Sequence, residues 1–264
     1  LADCFHDAGL KWYYRNWRKQ GNQADIDKAI QYTQQALEIK KKLDSLEKGS
    51  LEKSMYNLGY FLNSDERYYD AITAYQDLVK NGKDLKKIQN ANRELGELHE
   101  FVGDFYKALD RYESYIENYK SQNNLQQRDV LNLAEIYILK AEIYSLLGNK
   151  EFSNNIEENL RSADSILLSE SYTREMHNLR INSIKGNQFT ENENYEEAVY
   201  YYNKVLKDSI LLDSLNLAKV FNMISIPQFK LKNYDMSIKN LQKAIAFDPN
   251  YSDPYENLGD IFLS

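Results

Sequence analysis

The chain has 264 residues, with 40 Asp and Glu against 33 Lys and Arg, a formal net charge of −7 and 42% hydrophobic residues. That apolar share excludes an intrinsically disordered chain, and ten Gly with three Pro are too little turn chemistry for a β-sandwich or a dinucleotide-binding α/β fold. The acidic balance argues against binding a phosphate backbone, no run approaches the ~18 apolar residues of a membrane span, and the single Cys4 fits a reducing, cytoplasmic compartment.

Apolar residues at i, i+3, i+4 and i+7 predict helices, and the helices come in pairs. Residues 4–20 and 24–47 form a first, atypical pair, with Ala29 and Ala36 at the small positions of its second helix. The next pair covers 51–64 and 67–80, on either side of the polar break Asp65-Glu66-Arg67. Met55, Leu58 and Leu62 make the stripe of its first helix, and Tyr68, Ala71, Ile72, Tyr75 and Leu78 the face of its second. The third pair, 85–102 and 104–120, turns at Gly103-Asp104. The fourth, 126–147 and 149–169, fits only with an insertion of about three residues, and its small residue comes late, at Ala163. Pairs over 171–192 with 194–208 and 213–231 with 233–246 follow, then a lone helix from 252. Pro227 falls inside 213–231, where its missing N–H predicts a kink or a helix end.

A beat of small residues runs through these pairs. Gly59, Gly96, Ala141, Gly186, Ser225 and Gly259 lie on the first helices, spaced by 37, 45, 45, 39 and 34 residues. Twelve positions after four of them stand Ala71, Ala108, Ala198 and Ser237. Small residues here let paired helices approach to about 8–10 Å, and Tyr75, Tyr112 and Tyr202 are expected to fill the space beside them as core, not as a stacking platform.

A helix–turn–helix unit of about 34 residues is the tetratricopeptide period. The chain resembles the tetratricopeptide repeat (TPR) family most clearly at Asp248-Pro249-Asn250-Tyr251 and Tyr255-Glu256-Asn257-Leu258-Gly259, and in second helices such as Tyr68-Tyr69-Asp70-Ala71 and Phe105-Tyr106-Lys107-Ala108. The resemblance implies an all-α, right-handed solenoid over 1–264, with six helix pairs and the first helix of a seventh. Leu258, Ile261 and Phe262 would lack a downstream cover, so the natural protein is expected to continue beyond 264.

Catalytic signals in the sequence are poor. His6, His99 and His177 fall on different units; there is no Cys/His metal set, no Walker loop and no Gly-rich dinucleotide turn. The expectation is a non-enzymatic protein that needs no cofactor. The TPR resemblance implies binding of an extended peptide or helix on the concave face of the first helices. The matching positions are Lys53, Tyr56, Tyr60 and Asn63; Arg93, Glu97 and Glu100; Glu135, Ile138 and Glu142; Arg180, Ser183 and Asn187; and Lys219, Asn222 and Ile226. Glu97, Glu135 and Glu142 stand where some family members carry a basic carboxylate clamp, so a partner of basic or mixed charge is favoured over nucleic acid or membrane. A second reading follows from a looser likeness to bacterial TPR arrays that precede caspase-like CHAT peptidases or regulators: a regulatory region of a larger enzyme or sensor. Richness in Asn, Lys, Ile and Tyr, the residues of AT-rich codons, agrees with a bacterial source.

Overall fold

The structure, a computed structural model, describes residues 1–18, 23–43, 49–122, 126–168 and 174–263. Predicted helix ends at 19–20, 44–47, 169 and 171–173 lie outside the described residues. Within them the protein is all-α, and the contacts divide it into two compact units, Leu1–Asn124 and Leu125–Ser264.

The first unit holds α1 (Ala2–Arg18), α2 (Gln23–Lys40), α3 (Ser50–Ser64), α4 (Tyr68–Asn81), α5 (Leu85–Phe101) and α6 (Phe105–Lys120). The helices pack as α1 with α2, α3 with α4 and α5 with α6, and each pair leans on the next. The core runs from Ile26, Ala29 and Ile30 through Met55, Phe61 and Leu62 to Ala71, Tyr75, Leu78, Ala91 and Leu95. The second unit holds α7 (Gln127–Gly148), α8 (Ser153–Leu167), α9 (Arg174–Glu191), α10 (Tyr195–Lys207), a 3-10 turn (Ser209–Leu211), α11 (Ser214–Lys230), α12 (Tyr234–Phe247) and α13 (Asp253–Leu263). Its pairs are α7 with α8, α9 with α10 and α11 with α12, and α13 packs on α12.

Four turns share one construction. Three residues join α3 to α4, α5 to α6, α9 to α10 and α11 to α12, and the middle one is left-handed: Glu66 (φ 58°), Gly103 (φ 80°), Glu193 (φ 61°) and Lys232 (φ 62°). The next N–H then donates back to the helix just ended: Arg67 to the Leu62 carbonyl at 2.9 Å, Asp104 to His99 at 2.7 Å, Asn194 to Phe189 at 2.9 Å and Asn233 to Gln228 at 2.9 Å. This bond closes a Schellman motif and occupies carbonyls the helix end leaves open. Only Gly103 is the residue such a backbone favours; the other three carry the left-handed cost.

The small-residue beat acts through the residue sixteen positions on. Gly59 faces Tyr75, Gly96 faces Tyr112 and Gly186 faces Tyr202, and a Cβ on the three glycines would lie 2.7, 2.2 and 2.6 Å from those rings. All three tyrosines are buried, as expected from their role in the core. Where the first-helix residue is Ser225, the facing position is Leu241 rather than Tyr. At Ala141 the same logic holds once the inserted residues are counted: Ile156 and Leu160 occupy the places of Ala71 and Tyr75. Where the first helix carries Ser225 or Ala141 instead of Gly, the place of Tyr75 is thus held by the smaller Leu241 or Leu160, while Ile156 is larger than the Ala71 it replaces.

The fourth pair is irregular where the sequence is. Its turn has four residues, 149–152, after Gly148 (φ 143°), and Ala163 is fully buried. Glu191 on α9 holds this turn: its carboxylate accepts from the Asn149 side-chain amide at 2.7 Å and the Asn149 N–H at 3.2 Å. Gln188 adds a bond to the Ser153 hydroxyl at 2.8 Å. Pro227 does not end its helix. α11 continues through it to Lys230, and the Pro227 carbonyl still accepts from the Leu231 N–H at 3.0 Å.

Candidate functional site: the face of the first helices

In the first unit the expected ligand positions lie on α3 and α5. Tyr56 is half-buried; its hydroxyl donates to Glu94 Oε1 at 2.8 Å and its ring meets Tyr75 edge-on at 5.4 Å. Burial and the Glu94 carboxylate push its pKa well above the usual phenol value. Arg93 shares the same Glu94 oxygen at 3.2 Å and reaches Glu97 at 3.5 Å. These neighbouring carboxylates outweigh desolvation and raise the already high guanidinium pKa. Tyr60 is exposed, packs edge-on against Tyr13 at 5.4 Å, and its pKa is pushed up to about 12 by its hydrogen bond to Tyr13 and by partial burial. Asn63 and Glu97 line an open depression of about 430 Å³ with Ser64, Glu66, Tyr68, Leu98 and Phe101. The Phe101 ring lies 4.5 Å from that of Tyr68 and is two-thirds exposed at 67%.

In the second unit, three expected residues converge. Arg180 on α9 donates to both oxygens of Glu142 on α7, at 2.8 and 2.5 Å, and to Glu135 one side of it. His177 Nε2 lies 3.1 Å from the other Glu135 oxygen. Burial alone would raise the Glu135 pKa, but the His177 bond and the Arg180 charge overturn that and hold it at about 2. The middle of this face is therefore an internally paired carboxylate–guanidinium cluster, not an open patch of negative charge. The bidentate fork is the geometry for which arginine is suited. Sequence spacing gave no sign of it, because Arg180 lies 38 residues from Glu142 and 45 from Glu135.

Three further positions serve the protein's own packing. Asn187 accepts from the Tyr202 hydroxyl at 2.6 Å, so it fixes the ring that fills its own helix pair. Asn222 is buried, bonded to Tyr251 at 3.2 Å and to Asn257 of α13 at 2.8 Å. Glu100 likewise accepts from the Tyr112 hydroxyl at 3.1 Å. Lys219 stays exposed on α11. Among the described residues no cluster of His, Cys, Asp and Glu could hold a metal, and no helix is long and apolar enough to cross a membrane. His99, buried beside Asp104, has its pKa lowered by desolvation and reads as packing.

The TPR repeat family matches over residues 228–264, and no curated protein matches the sequence. Solved structures resemble the fold over most of the chain. A tetratricopeptide repeat protein from Parabacteroides merdae ATCC 43184 is 16% identical with a TM-score of 0.62, covering 98% of this chain and 86% of that one. BtubC (BKLC) from P. vanneervenii is 16% identical with a TM-score of 0.61, covering 86% and 93%. YrrB, described as a TPR protein with an unusual peptide-binding site, is 13% identical with a TM-score of 0.55, covering 86% and 97%. At these identities the likeness speaks to the fold. Residues 228–264 thus match the TPR repeat family, and the helix pairs before them share the fold of these tetratricopeptide repeat structures.

Proposed function

We propose that the protein is a non-enzymatic scaffold that binds an extended peptide segment of a partner protein on the faces of its first helices. The observation that carries this reading is the depression of about 430 Å³ in the first unit, which the expected residues Asn63 and Glu97 line together with the exposed ring of Phe101. A preformed recess that sets Tyr68, Leu98 and Phe101 among polar side chains suits a side-chain anchor and keeps the ordering cost of binding low. Exposed Glu66 beside it favours a basic or mixed peptide, and a net charge of −7 disfavours nucleic acid. YrrB, with its peptide-binding site, supports the reading at the level of the fold.

Reversing Glu97, Glu135 and Glu142 to Lys is a poor test, because two of the new lysines would stand beside Arg180 and destabilise the protein by themselves. A better test pans a random dodecapeptide display library on the whole chain. Fluorescence anisotropy then compares the enriched peptides on wild type and on Asn63→Ala/Phe101→Asp. At least one peptide family is expected to bind the double variant ten or more times more weakly, with an unchanged circular dichroism spectrum. If no peptide is enriched, the scaffold reading fails.

A further inference from the structure

The first helix is held by a buried polar cluster that the candidate face does not use. Lys40 on α2 is buried, and its ammonium group donates to the Ser50 carbonyl at 3.1 Å, to Ser54 Oγ at 3.1 Å and to Asp3 Oδ1 on α1 at 3.0 Å. Ser54 on α3 is buried in turn, and its Oγ lies 2.9 Å from Nδ1 of buried His6 on α1. An ammonium group only donates, so Ser54 Oγ accepts from Lys40. The Ser54 hydrogen then has His6 Nδ1 at 2.9 Å as its acceptor, or the Ser50 carbonyl at a poorer 3.4 Å. The cluster is satisfied best when Nδ1 carries no proton, which selects a neutral imidazole with its hydrogen on Nε2. Nε2 is buried and has no hydrogen-bond partner among the described residues.

A proton on His6 disrupts this arrangement. Nδ1–H would compete with Lys40 for the one Ser54 oxygen, setting two cations on a single hydroxyl, and the charged ring would bury its Nε2–H without an acceptor. The charged groups that face the ring are Asp3 and Asp7 of α1, Lys40 of α2 and Lys53 of α3. Both carboxylates are exposed, and the Asp3 oxygen bonded to Lys40 also accepts from the Ser50 hydroxyl at 3.4 Å. Burial, with the like charges of Lys40 and Lys53, pushes the imidazole below its ordinary value of 6.5, against the pull of Asp7 and Asp3. We propose that the cluster is an acid-sensitive latch, which holds α1 on α2 and α3 while His6 is neutral and loosens it when His6 takes a proton. Because the folded state lowers the affinity of His6 for protons, the latch is complete above about pH 6.5 and is lost as pH falls from there. The latch bears on the candidate face, since α1 also carries Tyr13. That ring stacks on Phe61 at 4.6 Å and meets Tyr60 edge-on at 5.4 Å, and its hydroxyl lies 3.4 Å from Oγ of Ser64, a residue of the depression. Loosening α1 withdraws Tyr13 from α3.

Amide hydrogen exchange read by NMR on the whole chain tests the latch, with protection factors corrected for the pH dependence of intrinsic exchange. Between about pH 7.5 and 5.5 the α1 amides are expected to lose protection by about threefold or more beyond any loss in α12. His6→Asn keeps a neutral acceptor near the place of Nδ1 and takes no proton, so it should abolish the excess loss. His99, whose pKa is also lowered by burial, stays in the variant and contributes alike to both proteins. No excess loss in wild type, or an equal one in His6→Asn, overturns the latch. If His6→Asn leaves α1 unprotected at both pH values, Lys53→Glu decides. Lys53 is exposed, and reversing a like charge that faces His6 is expected to raise the pH at which α1 loosens. A midpoint of α1 loss that stays where it is in wild type overturns the proposal.

Discussion

Replacing Gly96 by alanine places a methyl group 2.2 Å from Tyr112 Cε1 and 2.5 Å from Cδ1. Carbon atoms in contact sit at about 3.5–4.0 Å, so more than an ångström of overlap must be relieved. Tyr112 is fully buried, and its hydroxyl is bonded to Glu100 at 3.1 Å, so the ring has no open side to move into. Overpacking of this kind costs about 1–3 kcal/mol, and the short distance places it at the upper end. Alanine in a helix interior recovers about 1 kcal/mol of backbone propensity, leaving a net loss of about 1–2 kcal/mol. Gly259 is the control: a Cβ there meets nothing within 4 Å, so Gly259→Ala keeps only the gain. Urea titrations followed by circular dichroism at 222 nm measure both, and the two midpoints are expected to move in opposite directions at constant slope. Adding Tyr112→Leu to Gly96→Ala copies the Ala141–Leu160 arrangement found in the fourth pair, and should recover part of the loss even without the Tyr112–Glu100 bond. If Gly96→Ala stabilises as much as Gly259→Ala, the size matching between first and second helices is wrong.

Arg180→Ala removes the shared partner of Glu135 and Glu142, whose side chains are 31% and 29% exposed, and is expected to cost about 1–3 kcal/mol. The same cluster sets an acid limit. Glu135 is held at about 2 against a reference of 4.5, so its stabilisation is complete above pH 4.5 and is lost as pH falls from there towards 2. The shift corresponds to about 3 kcal/mol, reduced to about 1–2 because a third of the side chain meets water. Urea midpoints of wild type and Glu135→Gln, measured between pH 6 and 3, should converge at the acid end. In the turns, Glu193→Gly and Lys232→Gly should each gain about 0.5–1 kcal/mol by relieving a left-handed backbone, while Gly103→Ala should lose about 1 kcal/mol; thermal melts that rank them otherwise would refute the shared turn geometry.

Much of this architecture was legible in the residues. The apolar period and the spacing of Gly59, Gly96, Gly186 and Ser225 located most of the helices to within a few residues, because both are local consequences of helix geometry, whereas the helix expected over 24–47 ends at Lys40. The irregularity after Gly148 was visible as a broken spacing, yet what steadies it, Glu191, lies 42 residues away. Of the two outcomes expected at Pro227, a helix end is excluded, since α11 runs on to Lys230 with one backbone bond fewer.

The candidate site was less legible. The face of the first helices could be named from register, but register does not say which polar groups the fold spends on itself. Asn187, Asn222 and Glu100 were taken up by Tyr202, Tyr251 and Tyr112, and Glu135 and Glu142 by Arg180. By itself the sequence determined that this chain is a stack of helix pairs keyed by small residues, because helix periodicity and side-chain size act over a turn or two. Only the tertiary structure decided which pairs are filled by a tyrosine, which are filled by leucine, and where an open space remains. Those outcomes depend on helices brought together from far apart in the chain, where an ångström of packing or one long-range hydrogen bond settles what a surface can hold.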